Sequence, residues 1–222
     1  MLDGIMRRVI DPPLAVAGRR LAAAGVAADA VTLAGFAAGL VGAAAVVLRL
    51  DALAALLFLV GRVADGLDGA IARAGRRTDR GGFLDIVCDF ALYGAFPLAF
   101  ALRDPDANAL PAAVLLGSFY VNGATFLAYA AVAARRGWET ETRGPKSIYF
   151  TAGLAEGTET ILAFLLMLAL PQHFPVIAYA FAAMTLATAV GRALAGWYRF
   201  REAPQVRASG FSPPERDEHA QP

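Results

Sequence analysis

Six stretches of this chain, residues 31–48, 52–72, 83–102, 110–134, 148–170 and 175–197, are each mostly apolar over close to the ~20 residues that an α-helix needs to cross the hydrocarbon core of a bilayer. That feature limits the fold more than any other. A backbone in hydrocarbon must satisfy its polar groups internally, so only helices and closed barrels span. The runs are continuous and do not alternate, which selects helices. Hydrophobic residues make up 58% of the chain, above the roughly 45–50% of soluble domains, and the excess sits in these blocks. A soluble helical bundle is therefore excluded. The expectation is an all-α, polytopic membrane protein with six transmembrane helices in one domain, residues 1–202.

The flanks read differently. Residues 1–29 carry Arg7, Arg8, Arg19 and Arg20 among apolar residues and lack an apolar core of signal-peptide length. They are expected to form a juxtamembrane, amphipathic surface helix. Residues 203–222 are rich in Pro, Glu and Arg, and a disordered polar tail is expected. The formal net charge of +1 gives no electrostatic reason for nucleic-acid binding. The one cysteine, Cys88, can form neither an internal disulfide nor a cysteine metal cluster, and reads as a small buried hydrophobe.

Connections between the stretches alternate in charge. Arg73, Arg76, Arg77 and Arg80 follow the second stretch, and Arg135, Arg136, Arg143 and Lys146 follow the fourth. The other connections hold only Arg49, only Arg103, and neither Lys nor Arg near Gln172. By the positive-inside rule both termini and the arginine-rich loops lie in the cytoplasm. An odd number of spans would break this alternation. The expected location is a bacterial inner membrane.

Four carboxylates interrupt the apolar pattern. Asp65 and Asp68 close the second stretch; Asp85 and Asp89 open the third. Each costs about 2.5–3.5 kcal/mol in hydrocarbon even on the mild insertion scale. Spacings of three and four put each pair on one helix face. A short loop joins the two stretches, so they are read as antiparallel neighbours whose acids converge just inside the cytoplasmic boundary. Convergent carboxylates repel unless cations sit among them, and hard divalent ions prefer oxygen ligands. Neither cysteine nor histidine is expected nearby, the histidines being His173 in an outside loop and His219 in the tail, which favours one or two Mg2+ or Mn2+ over Zn2+. The plainer alternative is charge pairing with Arg62 and Arg73. Gly66, Gly69, Gly81 and Gly82 are interleaved with the acids and suit close helix approach or access of a ligand to backbone.

The segment DGLDGAIARAGRRTDRGGFLDIVCD, residues 65–89, resembles the signature of the CDP-alcohol phosphotransferase (CDP-alcohol phosphatidyltransferase) family, D-x2-D-G-x2-A-R-x7-8-G-x3-D-x3-D. Every fixed position is met. The six-span layout with a surface helix before it resembles the family too. The resemblance implies a two-metal site, with Asp65, Asp68 and Asp85 as ligands and Asp89 as both ligand and general base. It implies that Arg73 holds the donor diphosphate, and that Gly69, Ala72 and Gly81 make room for the nucleotide. Asp29 stands where many members have asparagine and Thr32 matches, so both are assigned to the donor side. The implied reaction moves a phospho-alcohol group from a CDP-alcohol, with CDP-diacylglycerol expected, to a small alcohol with release of CMP. The implied assembly is a homodimer.

The acceptor side is less specific. Arg135, Arg136, Lys146 and Arg192 are candidates for an anion pocket, against readings as topology signals or as partners of the nearby acids. Glu156 and Glu159, three apart, are a second intramembrane acidic pair. A phosphorylated acceptor, a neutral polyol and an amino-alcohol all remain open. A small cation-coupled transporter would also explain intramembrane acids, though it gives no reason for the complete signature and the chain lacks evident inverted halves.

Overall fold

A computed structural model of the chain describes residues 3–136 and 157–201, and shows helices joined by short turns with no strand among those residues. In chain order they are α1 (Asp3–Ala23), α2 (Ala28–Val47), α3 (Asp51–Ala74), α4 (Asp79–Arg103), α5 (Pro105–Arg135), α6 (Gly157–Ala169) and α7 (Phe174–Arg199), with a 3-10 turn, Pro171–His173, leading into α7. Five of the six expected stretches lie within these helices or overrun them by one residue. The fifth is described only from Gly157, and the tail 203–222 lies outside the described residues.

Among the described residues four helical segments are long and apolar enough to cross a membrane: Ala28–Val47, Asp79–Arg103, Pro105–Arg135 and Pro171–Arg199. At 24 residues α3 matches them in length; Arg62, Asp65 and Asp68 interrupt its apolar run. The outer surface suits lipid: Leu56, Val63, Phe83, Leu110 and Val176 are each more than half exposed. The first helix, α1, packs along α3 with Val9 and Ile10 exposed beside Arg8, Arg19 and Arg20.

The core is aromatic. Phe58, Phe96 and Phe164 are buried, with Phe58 and Phe96 edge to face at 5.1 Å and Phe164 5.5 Å from Phe58. Phe100 stacks on Phe174 at 4.3 Å. Such ring pairs add about 0.5–1.5 kcal/mol beyond area burial. At the far end Arg103 is ion-paired with Asp51, and Arg49 donates to the Arg103 carbonyl at 3.1 Å. These bonds tie the α2–α3 turn to the end of α4.

One helix corrects the neighbour reading. It is α2 that packs its backbone closely against both α3 and α4, while α5 packs on α4 and α7; α3 and α4 meet through long side chains. Glycine makes this approach possible. A Cβ on Gly35 would lie 2.6 Å from the Ala64 Cβ, and one on Gly61 would lie 3.2 Å from the Gly35 carbonyl oxygen. Small residues at a seam are how membrane helices gain van der Waals contact. Gly35→Ala is expected to lower stability in detergent by about 1–3 kcal/mol through overpacking, read as a fall in the thermal unfolding midpoint. It would also move Thr32, one turn earlier, away from α3.

Candidate active site

The antiparallel course of α3 and α4 sets the site in layers. Reading α3 forward and α4 backward, the aromatic pair Phe58 and Phe96 comes first. Arg62 with Tyr93 and Asp89 comes next. Asp65, Asp68 and Asp85 follow. Their carboxylate oxygens, one from each, all lie within 4.8 Å of one another. Asp68 is only 5% exposed, and it accepts a hydrogen bond from the Thr32 hydroxyl on α2. The Thr32 hydroxyl also reaches the Ala28 carbonyl at 3.2 Å. Thr32 thus ties α2 to the deepest carboxylate.

All four aspartates line one cavity of about 10 Å³, together with Thr32, Gly35, Phe36, Gly61, Arg62, Cys88 and Leu92. That is room for about one small species such as a water. The oxygen donors suit a hard divalent ion. The thiol on α4 is closer than the sequence reading allowed: Cys88 is buried and faces the same cavity. Its position three residues after Asp85 was the available signal.

Charge pairing, the plainer alternative, is met in part. Arg62 donates to Asp89 Oδ1 at 2.9 Å and lies 3.8 Å from Asp65 Oδ2. It also sits 5.7 Å from the centre of the Tyr93 ring. Arg73 is exposed, and its guanidinium runs back over Gly69, where an added Cβ would meet Nη1 at 3.1 Å. Among the described residues no Lys or Arg lies within 4 Å of the Asp68 or Asp85 carboxylate. Two of the four acids therefore face the cavity without a cationic side chain.

A larger cavity of about 470 Å³ opens beside this cluster. Its wall includes Gly25, Asp29, Ala72, Gly75, Thr78 and Arg80. Gly25 turns the chain from α1 into α2 with φ +79°, a conformation that favours glycine. Asp29 is ion-paired with Arg80, through Nε at 2.9 Å among other contacts. A Cβ on Gly81 would lie 3.1 Å from both Asp29 Oδ1 and the Thr78 hydroxyl. The Thr78 hydroxyl caps α4 by accepting from the Gly81 N–H at 3.0 Å. The wall thus brings Asp29 and Ala72 together, with Gly81 packed against Asp29.

The described acceptor candidates lie on α6, on α7 and at the end of α5. Arg135 is exposed at the end of α5. Arg136 donates to the Phe200 carbonyl at 2.7 Å and lies over that ring. Arg192 on α7 donates to Asn122 Oδ1 at 2.8 Å and lies over Phe126. Glu159 sits in the first turn of α6, and Lys146 and Glu156 lie outside the described residues.

Comparison with known proteins places this geometry. The sequence profile of the CDP-alcohol phosphatidyltransferase family matches residues 25–193. The inner membrane protein YnjF of Escherichia coli K12 is 40% identical over 197 residues, 89% of this chain and 96% of that protein. The archaetidylinositol phosphate synthase of Pyrococcus horikoshii is 31% identical over 118 residues, 53% of this chain and 63% of that protein. The crystal structure of Mycobacterium tuberculosis phosphatidylinositol phosphate synthase, with CDP-DAG bound, shares the fold with a TM-score of 0.58 at 23% identity, covering 83% of this chain and 93% of that one. The chain belongs to the CDP-alcohol phosphatidyltransferase family, and is an integral membrane transferase of substituted phosphate groups.

Proposed function

We propose that this enzyme transfers a phosphatidyl group from CDP-diacylglycerol, or a related CDP-alcohol, to a small polar alcohol and releases CMP. The convergence of Asp65, Asp68 and Asp85 oxygens within 4.8 Å carries the reading. Three convergent acids in an apolar bundle, of which Asp68 and Asp85 have no cationic side chain within 4 Å among the described residues, make sense around a cation and a diphosphate. Support for the donor comes from the neighbouring structure, which has CDP-DAG bound. The 470 Å³ cavity beside the cluster has the size for a nucleotide.

In this reading Asp65, Asp68 and Asp85 would hold the divalent ions, Mg2+ or Mn2+, while Asp89, which the resemblance also names as a ligand, is held by Arg62 and kept for the base role. Such ions supply Lewis-acid stabilisation to the attacking and leaving oxygens of a displacement at phosphorus. Arg73 binds the diphosphate with its fork of donors. Asp29, Thr32, Gly69, Ala72 and Gly81 shape the nucleotide pocket. The acceptor hydroxyl oxygen bonds to the β-phosphorus while the bond from that phosphorus to the bridging oxygen breaks. Asp89 takes the hydroxyl proton, and CMP departs with the bridging oxygen.

Six spans, with both termini and the site on the cytoplasmic side, follow from the charge alternation of the loops. In that arrangement α1 lies at the cytoplasmic surface. Arg135, Arg136, Arg192 and Glu159 are the acceptor-side candidates among the described residues; Arg136 also donates to the Phe200 carbonyl and Arg192 to Asn122. The inositol phosphate lipids in two relatives' names put a phosphorylated polyol first among acceptors to try, and a homodimer is the expected assembly.

The deciding experiment incubates purified enzyme with CDP-diacylglycerol, divalent metal and a panel of acceptors. The panel holds inositol phosphate, glycerol 3-phosphate, inositol, serine, ethanolamine and choline. One acceptor is expected to give CMP and a new lipid of matching mass. No CMP with any of them would remove the proposed donor. Exhaustive EDTA treatment is expected to abolish CMP release and added Mg2+ or Mn2+ to restore it; full activity in EDTA would remove the metal reading.

A further inference from the structure

Arg62 belongs to no assigned role, yet it is the cationic side chain closest to the acids among the described residues. Its side chain is 8% exposed. A charge so buried is retained only with excellent pairing. It has that pairing on three sides: Asp89 at 2.9 Å, Asp65 at 3.8 Å, and Tyr93, whose hydroxyl lies 3.5 Å from Nη1 and whose ring centre is 5.7 Å from the guanidinium carbon. Arg62 also lines the small cavity itself. It divides the four acids. Asp65, Asp68 and Asp85 offer mutually close oxygens, while Asp89 is held by Arg62.

We propose that Arg62 is a built-in counter-cation and positioning residue: it aims Asp89 at the acceptor side and limits how tightly the cluster binds divalent ions. The inference rests on the reading of the cluster as a divalent-cation site. Physically, a fixed positive charge a few ångströms from a cation site weakens cation binding, since the two repel in a partly desolvated cavity. The same charge holds Asp89 oriented for proton transfer. Both effects serve turnover. A cluster of four acids with no fixed positive charge would trap its metals and leave Asp89 free to swing onto them.

The test titrates the purified full-length enzyme with Mn2+, following free Mn2+ by its electron paramagnetic resonance signal, beside CMP-release kinetics. Arg62→Met keeps the bulk and removes the charge. It is expected to bind Mn2+ about tenfold tighter or more and to lose about tenfold or more in kcat, with the KM for CDP-diacylglycerol within about threefold. Arg62→Lys keeps the charge without the planar fork. It should return Mn2+ affinity to within about threefold of the unaltered enzyme and recover kcat only in part. Unchanged or weaker Mn2+ binding in Arg62→Met, or unchanged kcat, overturns the proposal. If Arg62→Met does not fold, Arg62→Lys decides. Native Mn2+ affinity with lowered kcat supports the proposal, and native kcat or a large change in affinity overturns it. No Mn2+ binding by the unaltered enzyme defeats the cation reading first, and this inference with it.

Discussion

Replacing Asp68 by asparagine is expected to cut CMP release by about a thousandfold or more, roughly 4 kcal/mol of lost transition-state stabilisation, while making the metal-free protein more heat-stable. The two halves have one cause. Asp68 is the most buried of the acids, at 5% exposure, and its carboxylate meets a hydroxyl but no arginine. Without a divalent ion it is a charge in a poor solvent beside Asp65 and Asp85, so its neutral amide relieves repulsion. With the ion present the same change removes one of three convergent oxygen anions. Asparagine has nearly the same shape and can keep its contact with Thr32, so the bundle should persist. The measurement is CMP release together with thermal unfolding in EDTA and in Mg2+. The unaltered enzyme should be stabilised by Mg2+, and Asp68→Asn should lose most of that response. A variant with undiminished turnover, or one that Mg2+ still stabilises in full, would take Asp68 out of the metal site.

This contrast between a buried acid without a cation and one with a cation could not be read from the chain alone. What could be read follows from short-range rules. Run length gives α2, α4, α5 and α7. Spacings of three and four put Asp65 with Asp68 and Asp85 with Asp89 on their helix faces, and the turn at residues 75–78 brings the pairs to one depth. Side-chain choice is a different matter. Arg62 had one acid within reach along its own helix, Asp65 three residues on, yet its closest bond crosses to Asp89 on α4. That preference depends on how α2 spaces the two helices, which the glycines of α2 decide through tertiary contact. Similarly, Arg136 and Arg192 stand out by sign and place, but that Arg136 donates to the Phe200 carbonyl and Arg192 to Asn122 is seen only in the fold. Cationic residues near a helix end have many equivalent partners in sequence and find one only in the packed bundle.

The second large effect is expected at Asp89. Asp89→Asn should lower kcat by about 10²–10⁴-fold, the range for loss of a general base, while the enzyme still binds CDP-diacylglycerol with near-native affinity. The distinction follows from where the acids stand. Asp65, Asp68 and Asp85 remain to hold a cation against the diphosphate. The large cavity lined by Asp29, Ala72 and Arg80 does not include Asp89. Asp89 is held instead on the Arg62 side, 28% exposed, where a hydroxyl arriving from outside can reach it. Its amide accepts a hydrogen bond but is too weakly basic to take the proton, so the acceptor would bind without being activated. Arg62 would lose its best partner and keep Asp65 at 3.8 Å, which limits the damage to the fold. Single-turnover CMP release, measured beside equilibrium binding of the donor, separates the two steps. If Asp89→Asn turned over at close to the native rate, the proton would have to leave by another route. If instead it failed to bind the donor, Asp89 would belong with the three metal-holding acids and the division of labour imposed by Arg62 would be wrong.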